Sequence, residues 1–312
     1  MKIVVTGALG HIGSRLIREL PSMFHGAKIF MVDNLATQRY PSLFNLPAHG
    51  NYRFIEADVL EHDIEAVMDG ATVVVHLAAI TDAANSFNNR EKVEYVNYNA
   101  TARVAEACGK TGCAMIHLSS TSVYGTQAAV VDENCTEDEL KPQSPYAETK
   151  LKEERLLKEL GTSKGGRFVS CRFGTITGIS AGMRFHTAVN KFCWQAVFGQ
   201  PLTVWTTALH QKRPYLDLGD AVQAIKFIIE NELYDGNVYN ILTENLTVND
   251  IINYIKKSVP AIEIKYVDTQ IMNQLSYDVS NKRFADKGFS PKIALSRSIG
   301  ETISLLRSAN TR

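Results

Sequence analysis

A tyrosine and a lysine stand four positions apart near the middle of the chain, at Tyr146 and Lys150. The segment after Pro145 is predicted to be helical, and residues four apart lie one above the other on one helix face. An ammonium group beside a phenol favours the phenolate and lowers the phenol's pKa from about 10. The pair could therefore supply a base near neutral pH, although a lone Tyr-x-x-x-Lys pattern is common by chance.

Four consecutive hydroxyl side chains, Ser119 to Ser122, precede this pair in the chain. They follow the apolar run Met115–Leu118, which is predicted to be a strand. They could be ordinary loop residues. Their expected place at the carboxyl end of a parallel strand, where ligands bind in such sheets, favours a functional role.

A cofactor site is indicated at the N-terminus, where Ile3–Val5 reads as a buried strand and a glycine-rich turn leads into a helix. Backbone N–H groups and the positive end of a helix suit a pyrophosphate there. By itself the turn is a modest signal, because a strand–helix turn needs no ligand. The predicted cofactor-binding residues of this turn are Gly7, Gly10, His11, Ile12 and Gly13.

An acidic residue, Asp33, ends the second predicted strand, Lys28–Val32, about 20 positions beyond the glycines. Its carboxylate could accept hydrogen bonds from the adenosine ribose and would repel a 2′-phosphate, which favours NAD over NADP. After the third predicted strand, Asp58 could hold the adenine amino group or only cap a helix beginning near His62. The predicted cofactor residues of these strand ends are Asp33, Asn34, Asp58 and Val59.

The fourth predicted strand, Ala71–His76, is very apolar and ends in small residues that would let a cofactor approach the backbone. The residues concerned are Leu77, Ala78 and Ala79. We interpret His76 as a structural histidine. A long helix is predicted over Arg90–Cys108, with Asn97 facing outward from its apolar stripe.

The composition excludes several classes of protein. The chain has 312 residues, 45% of them hydrophobic, and its 33 basic and 33 acidic side chains give no net charge. This balance argues against a general nucleic-acid or membrane-surface binder. Because a strand is predicted to begin at residue 2, we expect no secretory signal, and no apolar run reaches the ~18 residues of a membrane span. Five scattered cysteines indicate neither a disulfide framework nor a metal site, so we expect a cytoplasmic protein.

Taken together, these motifs resemble the extended short-chain dehydrogenase/reductases, and most of all their NAD-dependent epimerase/dehydratase group, which acts on nucleotide sugars. The resemblance covers nearly the whole chain. The segments that carry it are TGALGHIG (Thr6–Gly13), DNL (Asp33–Leu35), ADV (Ala57–Val59), HLAA (His76–Ala79), Asn97 with Ala100-Thr101, SSTSVYG (Ser119–Gly125), SPYAETK (Ser144–Lys150), QKRPYLDLGD (Gln211–Asp220) and VYNI (Val238–Ile241).

The resemblance implies NAD as cofactor and a catalytic set of Ser120, Tyr146 and Lys150, with Lys150 also holding the nicotinamide ribose. It further implies that Asn97 and Tyr146 belong to the cofactor site and that Arg213 holds the nucleotide diphosphate. Other polar residues could line a sugar-nucleotide pocket, or could belong to a solvated surface. The predicted substrate-binding residues are Thr81, Ser120, Thr121, Tyr146, Thr175, Arg184, Asn190 and Arg213.

Two departures from the family pattern bear on the reaction. Dehydratases of this group usually carry Asp-Glu after the catalytic hydroxyl residue, where this chain has Thr121 and Ser122. These side chains lack a group suited to that acid–base work, which disfavours a 4,6-dehydratase. The family's asparagine after the sixth strand is replaced in the segment that ends at Thr175, which changes the expected substrate contacts.

We therefore expect an α/β fold: a Rossmann-like, doubly wound parallel sheet with a smaller C-terminal substrate-binding lobe. The NAD-binding domain is predicted over 1–173, with 211–241 returning to it, and the lobe over 174–210 and 242–312. The resemblance implies a homodimer formed through helices near 90–108 and 145–160. Those apolar faces could instead only cover the sheet.

The function indicated is a nucleotide-sugar epimerase, acting at C4 through a 4-keto intermediate. The same residues would serve a nucleotide-sugar 4-dehydrogenase or 4-ketoreductase, which differ only in releasing a net redox change. An NAD-binding regulator without catalytic activity is the alternative of another class. An intact set of Ser120, Tyr146 and Lys150 argues against it.

Overall fold

The computed structural model describes residues 1–83, 85–125, 129–268 and 276–309, and these form an α/β protein. In chain order the strands are β1 (Lys2–Thr6), β2 (Lys28–Asp33), β3 (Asn51–Glu56), β4 (Val73–His76), β5 (Ala114–Ser120), β6 (Val130–Val131), β7 (Phe168–Phe173), β8 (Thr175–Thr177), β9 (Leu202–Trp205), β10 (Lys212–Asp217), β11 (Asp235–Ile241), β12 (Glu244–Thr247), β13 (Ile264–Val267) and β14 (Asp278–Val279). The helices are α1 (His11–Met23), α2 (Ile64–Met68), α3 (Arg90–Thr111), α4 (Pro145–Lys164), α5 (Ala188–Val197), α6 (Leu218–Glu230), α7 (Val248–Ser258), α8 (Lys282–Ala285) and α9 (Leu295–Arg307).

Seven strands form one parallel sheet in the order β11-β7-β5-β4-β1-β2-β3. Strand β1 lies between β2 and β4, so the chain leaves it first in one direction and then in the other. This reversal opens a crevice at the carboxyl ends of the strands, where ligands bind in doubly wound sheets. The predicted fold class is confirmed.

Helices cover both faces of the sheet, which explains why its strands read as continuous apolar runs. Successive residues of a strand point to opposite faces. Ile3 and Val5 accordingly belong to a core shared with α1 and α6, whereas Val4 packs into a second core with α2, α3 and α4. The sheet is thereby packed between two apolar layers, and these position its carboxyl edge.

A smaller lobe is built from the remaining elements. Strands β12, β10 and β8 form a three-stranded sheet, and α5, α7 and α9 pack around a separate apolar core that includes Phe192, Ile255 and Ile299. In the segment 211–241, α6 and β11 return to the main fold, whereas β10 pairs outside the main sheet. Strand β6, which lies within 1–173, also pairs outside the main sheet, with β14. The predicted division into domains stays a prediction.

Side chains cap the starts of two helices. Thr247 and Asp250 form a reciprocal capping box at the start of α7. The helix predicted near His62 instead begins at Ile64, and the carboxylate of Asp63 caps it by accepting the Ala66 N–H at 3.1 Å. The alternative of Asp58 as that cap is therefore wrong.

Along the described ranges, no helix is both long and apolar enough to cross a membrane.

Candidate active site

A cleft of about 700 Å³ opens at the carboxyl ends of the central strands and is closed on its other side by segments of the lobe. All but two of the predicted site residues line it, and the exceptions are Asn97 and Asn190. The cleft therefore brings together groups that lie far apart in the chain, from Gly7 to Arg213.

The glycine turn between β1 and α1 forms one wall. Gly7 has a φ of +63°, and a Cβ there would lie 2.7 Å from the backbone of Leu77 and Ala78. A Cβ on Gly13 would lie 2.5 Å from the Gly7 carbonyl oxygen. The N-cap residue of α1, Gly10, brings no side chain to the first-turn N–H groups. The turn thus presents bare backbone and a positive helix end, which fits a dinucleotide pyrophosphate.

His11 anchors the lobe to this turn. Its Nε2 lies 3.0 Å from the Gly178 carbonyl oxygen, and burial lowers the imidazole pKa to about 4. The ring is therefore neutral, and Nε2–H donates. Nearby, the Gly182 N–H donates to Ser14 Oγ at 2.9 Å, and a Cβ on Gly182 would collide with the Leu9 carbonyl. The loop after β8 is therefore docked directly over the glycine turn.

The acidic residues at the ends of β2 and β3 meet at one end of the cleft. Asp33 accepts the Leu9 N–H at 3.0 Å and the Leu35 N–H at 2.9 Å, so its carboxylate is fixed against the glycine turn. Asn34 Nδ2 donates to Asp58 Oδ2 at 2.8 Å. This polar end, which Val59 also lines, suits the adenosine half of a dinucleotide.

The end of β4 is held by Thr6 and Asn97. Thr6 Oγ1 accepts N–H bonds from Leu77 at 3.2 Å and Ala78 at 3.3 Å and is bonded to His76 Nδ1 at 2.8 Å. Asn97 is buried and exchanges two hydrogen bonds with the backbone of Ile80, at 2.7 and 2.9 Å. The outward orientation predicted for Asn97 is therefore wrong, because the strand end needs both its donor and its acceptor. Asn97 shapes the cleft without lining it.

The hydroxyl side chains after β5 differ in orientation and in hydrogen-bond partners. Ser120 Oγ lies 2.8 Å from Ser122 Oγ and faces the cleft, whereas the Thr121 hydroxyl donates to the Phe173 carbonyl at 3.3 Å. The Ser119 hydroxyl donates to Glu154. Ser120 and Ser122 are thus a hydroxyl pair able to bind an oxyanion at the cleft wall.

Tyr146 and Lys150 lie on the first turns of α4, which Ser144 caps by accepting the Ala147 N–H at 3.2 Å. Burial raises the pKa of the Tyr146 phenol above its ordinary value, while the charge of Lys150 acts to lower it. The predicted effect of Lys150 is present, but burial outweighs it. The phenol is protonated in this state, and added positive charge in the cleft would bring its pKa down.

The substrate side of the cleft is cationic. Arg184 donates to the Thr81 hydroxyl, and its buried Nε has no hydrogen-bond partner among the described residues. Arg213 lines the cleft from β10 and donates to Gln211 Oε1 at 2.8 Å. Thr175 lines the wall between them. The two guanidinium groups can bind the negative charges of a phosphorylated ligand.

Asn190 lies behind this wall and differs from its predicted role. It is fully buried, accepts the Thr177 hydroxyl at 3.2 Å and donates to the Arg184 carbonyl at 2.9 Å. The predicted direct contact of Asn190 with substrate is replaced by a structural one, because its amide is consumed in holding the Arg184 loop.

Arg39 and Tyr277 are among the lining residues that had no place in the prediction. Arg39 follows Asp33 by six positions. Its place shortly after a strand end predicted to bind the cofactor could have marked it as a candidate residue of the cleft. Tyr277 comes from the C-terminal lobe, and its hydroxyl lies 3.4 Å from the Thr121 carbonyl oxygen. No local pattern around Tyr277 marks it. Within the described ranges, no cluster of His, Cys, Asp and Glu could hold a metal ion.

Comparisons with known proteins agree with this geometry. The model of the NAD-dependent epimerase/dehydratase family matches residues 3–241. An uncharacterized UDP-glucose epimerase of Bacillus subtilis is 32% identical over 249 residues, which cover 77% of this chain and 76% of that protein. A crystal structure of UDP-glucuronic acid 4-epimerase from Bacillus cereus, in complex with UDP-glucuronic acid and NAD, superposes with a TM-score of 0.89. The two sequences are 26% identical, and the superposition covers 99% of this chain and 100% of the Bacillus cereus chain.

Some relatives are much longer than this chain. A trifunctional 4,6-dehydratase, 3,5-epimerase and reductase of Arabidopsis thaliana is 28% identical over 316 residues, which cover 96% of this chain but only 46% of that protein. The chain thus spans about half the length of this relative.

Proposed function

Because the chain belongs to the NAD-dependent epimerase/dehydratase family, we propose that it is a nucleotide-sugar epimerase that inverts C4 through a 4-keto intermediate. The family and the NAD-bound relative make NAD its cofactor. When bound, NAD takes up the C4 hydride and returns it within the same cycle.

The chain's own residues supply the proton chemistry. In the proposal, Tyr146 removes the proton of the sugar 4-hydroxyl, and Ser120 donates a hydrogen bond to the oxygen as it gains negative charge. Lys150 places a positive charge beside the phenol and favours its deprotonated form. After the keto sugar turns over in the cleft, Tyr146 returns the proton to the C4 oxygen, and the alcohol of inverted configuration at C4 is formed.

The observation that carries this proposal is the convergence of Ser120, Tyr146 and Lys150 on the cleft that the glycine turn lines. No carboxylate stands at positions 121 and 122, where Thr121 and Ser122 occupy the cleft wall instead. A hydroxyl pair can hold an oxyanion but cannot eliminate water by acid–base catalysis near neutral pH. This supports epimerisation over 4,6-dehydration.

For the substrate we propose a nucleoside diphosphate sugar with its diphosphate near Arg213 and its sugar between Tyr146 and Arg184. Burial lowers the pKa of both guanidinium groups, yet each stays charged at neutral pH, since arginine ionises far above it. The Bacillus cereus relative binds UDP-glucuronic acid, a ligand of this chemistry. Thr175 and Ser122 line the cleft and are proposed to contact such a sugar through their hydroxyl groups.

We also propose a cytoplasmic homodimer. All five cysteines are free in the structure, as in a reducing compartment. Helices α3 and α4 pack together beside an exposed Tyr95, and that surface is the proposed contact. Light scattering with size-exclusion chromatography tests it, and a monomer at micromolar concentration would contradict it.

The test of the reaction begins with a thermal-shift panel of UDP-, dTDP- and GDP-sugars in the presence of NAD, because a true ligand stabilises the folded state. The best binder is then incubated with the enzyme, and the product is identified by NMR while NADH absorbance is followed. Epimerisation predicts a mixture of two C4 epimers with no build-up of NADH. Stoichiometric NADH, or turnover only with an added redox partner, would instead establish the 4-dehydrogenase or 4-ketoreductase. Binding with no turnover of any sugar would point to a regulator.

A further inference from the structure

A buried carboxylate, Glu153, lies beneath Lys150 and has no part in the proposed proton transfer. Its Oε2 accepts three hydrogen bonds: from Lys150 Nζ at 2.8 Å, from His117 Nε2 at 2.7 Å and from the Thr101 hydroxyl at 3.0 Å. Neither the carboxylate nor the imidazole is exposed to solvent. The network joins three elements, because Thr101 lies on α3, His117 on β5 and Glu153 on α4.

The sequence accounts for this meeting. Glu153 follows Lys150 by three positions on α4, so both side chains point to the face of the helix that covers the sheet. His117 is the register partner of His76 on the neighbouring strand, and paired residues share one face of a sheet. A buried carboxylate without partners would carry a large desolvation cost, and the three donors offset that cost.

The charge of the carboxylate follows from its surroundings. Although burial opposes it, Lys150 and His117 bring the pKa of Glu153 down to about 2, and the carboxylate is therefore ionised. His117 then donates from Nε2–H, and its Nδ1 lies 3.2 Å from Ser170 Oγ. Burial acts to lower the pKa of Lys150, but Glu153 and Tyr146 outweigh it, so the ammonium is charged well above neutral pH.

Other ionisable groups around the ammonium come from β4 and α4. Burial lowers the pKa of His76 to about 3, so this ring is neutral at working pH. Tyr146 is protonated, as described above, and Glu154 is engaged with Arg172 at 2.7 Å. Glu153 is thus the carboxylate in direct contact with Lys150 among the described residues.

We propose that Glu153 is a positioning residue for Lys150: held by His117 and Thr101, its carboxylate fixes the ammonium beneath the phenol and the nicotinamide ribose. This rests on the proposed function in assigning Lys150 its contact with the cofactor. Without the carboxylate, Lys150 would be a buried cation with neither its partner nor a fixed direction.

The test compares Glu153→Gln, which keeps the shape and removes the charge, with the wild type in NAD affinity at pH 7 and pH 9.5. Buried lysines without a counter-ion lose their proton several pH units early. We therefore expect NAD affinity of Glu153→Gln to fall roughly tenfold or more between these pH values, against less than about threefold for the wild type. Isothermal titration calorimetry measures both.

Two further variants separate positioning from general damage. Glu148→Gln removes a carboxylate from the same helix, where it pairs with Arg90 on the surface, and should follow the wild type at both pH values. Glu153→Asp retains the charge and should recover part of the alkaline affinity. If Glu153→Gln does not fold, Thr101→Val removes one donor from the carboxylate and should show a smaller loss in the same direction.

The proposal is overturned if NAD affinity has the same pH dependence in the wild type and in folded Glu153→Gln, or in Thr101→Val where Glu153→Gln does not fold. The readout is cofactor binding, so it does not depend on the substrate. Lack of epimerase activity in every variant, with the alkaline loss of affinity present, would refute the proposed function and leave the role of Glu153 standing. Where turnover is measurable, kcat of Glu153→Gln should also decline on the alkaline side while its KM at pH 7 changes little.

Discussion

Gly13→Ala is the substitution whose effect on cofactor binding can be worked out most directly from the structure. The new Cβ would lie 2.5 Å from the Gly7 carbonyl oxygen and 2.7 Å from that of Ala8. Carbon–oxygen contacts normally begin near 3.3 Å, so the turn must open by about 0.6–0.8 Å. Overpacking of this kind costs about 1–3 kcal/mol, and the displaced atoms are backbone that faces the cofactor.

If that cost falls on the bound state, NAD affinity falls roughly 5- to 150-fold, since 1.4 kcal/mol is a factor of ten. Calorimetric titration with NAD measures the affinity, and urea unfolding shows how much of the cost the free protein already bears. Gly300→Ala is the matched control: it lies inside α9, and its new Cβ would meet nothing within 4 Å. That variant should bind NAD normally and be about 0.5–1 kcal/mol more stable. Affinity of Gly13→Ala within twofold of the wild type would refute the pyrophosphate role of the turn.

Three further predictions concern the base and the buried charges. Tyr146→Phe should lower kcat about 10²- to 10⁴-fold with the fold intact, and initial rates of epimerisation check this, an unchanged rate contradicting the assignment of the base. His76 is neutral when folded down to about pH 3 but takes a proton below about pH 6.5 when unfolded, so acidification through that window should cost up to about 1.4 kcal/mol per pH unit. Urea unfolding between pH 6.5 and 4.5 should show a shallower loss for His76→Gln, and equal slopes would count against it. Glu154→Gln removes the carboxylate that accepts two hydrogen bonds, of 2.9 and 2.7 Å, from the buried Arg172. It should lower the free energy of unfolding by about 3–5 kcal/mol. A loss under about 1 kcal/mol would contradict this prediction.

The sequence was most informative where one residue type meets a backbone requirement. Gly7 and Gly13 must be glycine because backbone atoms lie too close for a Cβ. The strands around them must be apolar because both faces of the sheet are buried. Because the carboxyl ends of parallel strands meet at one edge of the sheet, residues such as Asp33 and Ser120 could be assigned to a common cleft from the sequence. The fold class and most of the cleft lining follow from these two facts.

The sequence was least informative where a side chain answers to partners distant in the chain. Asn97 lies on a polar position of its helix pattern, yet the backbone of Ile80, 17 positions away, draws it inward. Tyr277 reaches the cleft from the last quarter of the chain. The pKa of Tyr146 depends on how deeply it is buried, which helical spacing to Lys150 does not reveal. Each case turns on tertiary packing, which periodicity does not encode.

The hydrogen-bond network beneath Lys150 also bears on whether a proton leaves the active site during the proposed cycle. A dehydrogenase must release a proton to solvent in each turnover, whereas an epimerase returns to the sugar the proton that Tyr146 has taken. Glu153, His117 and Thr101 have no solvent exposure, and Ser170, at the far end of the chain of hydrogen bonds, has 1%. Beneath Lys150, the described residues of this network therefore fix the buried charges and form no hydrogen-bonded path to solvent. That arrangement agrees with the proposed transfer of a proton between Tyr146 and the sugar.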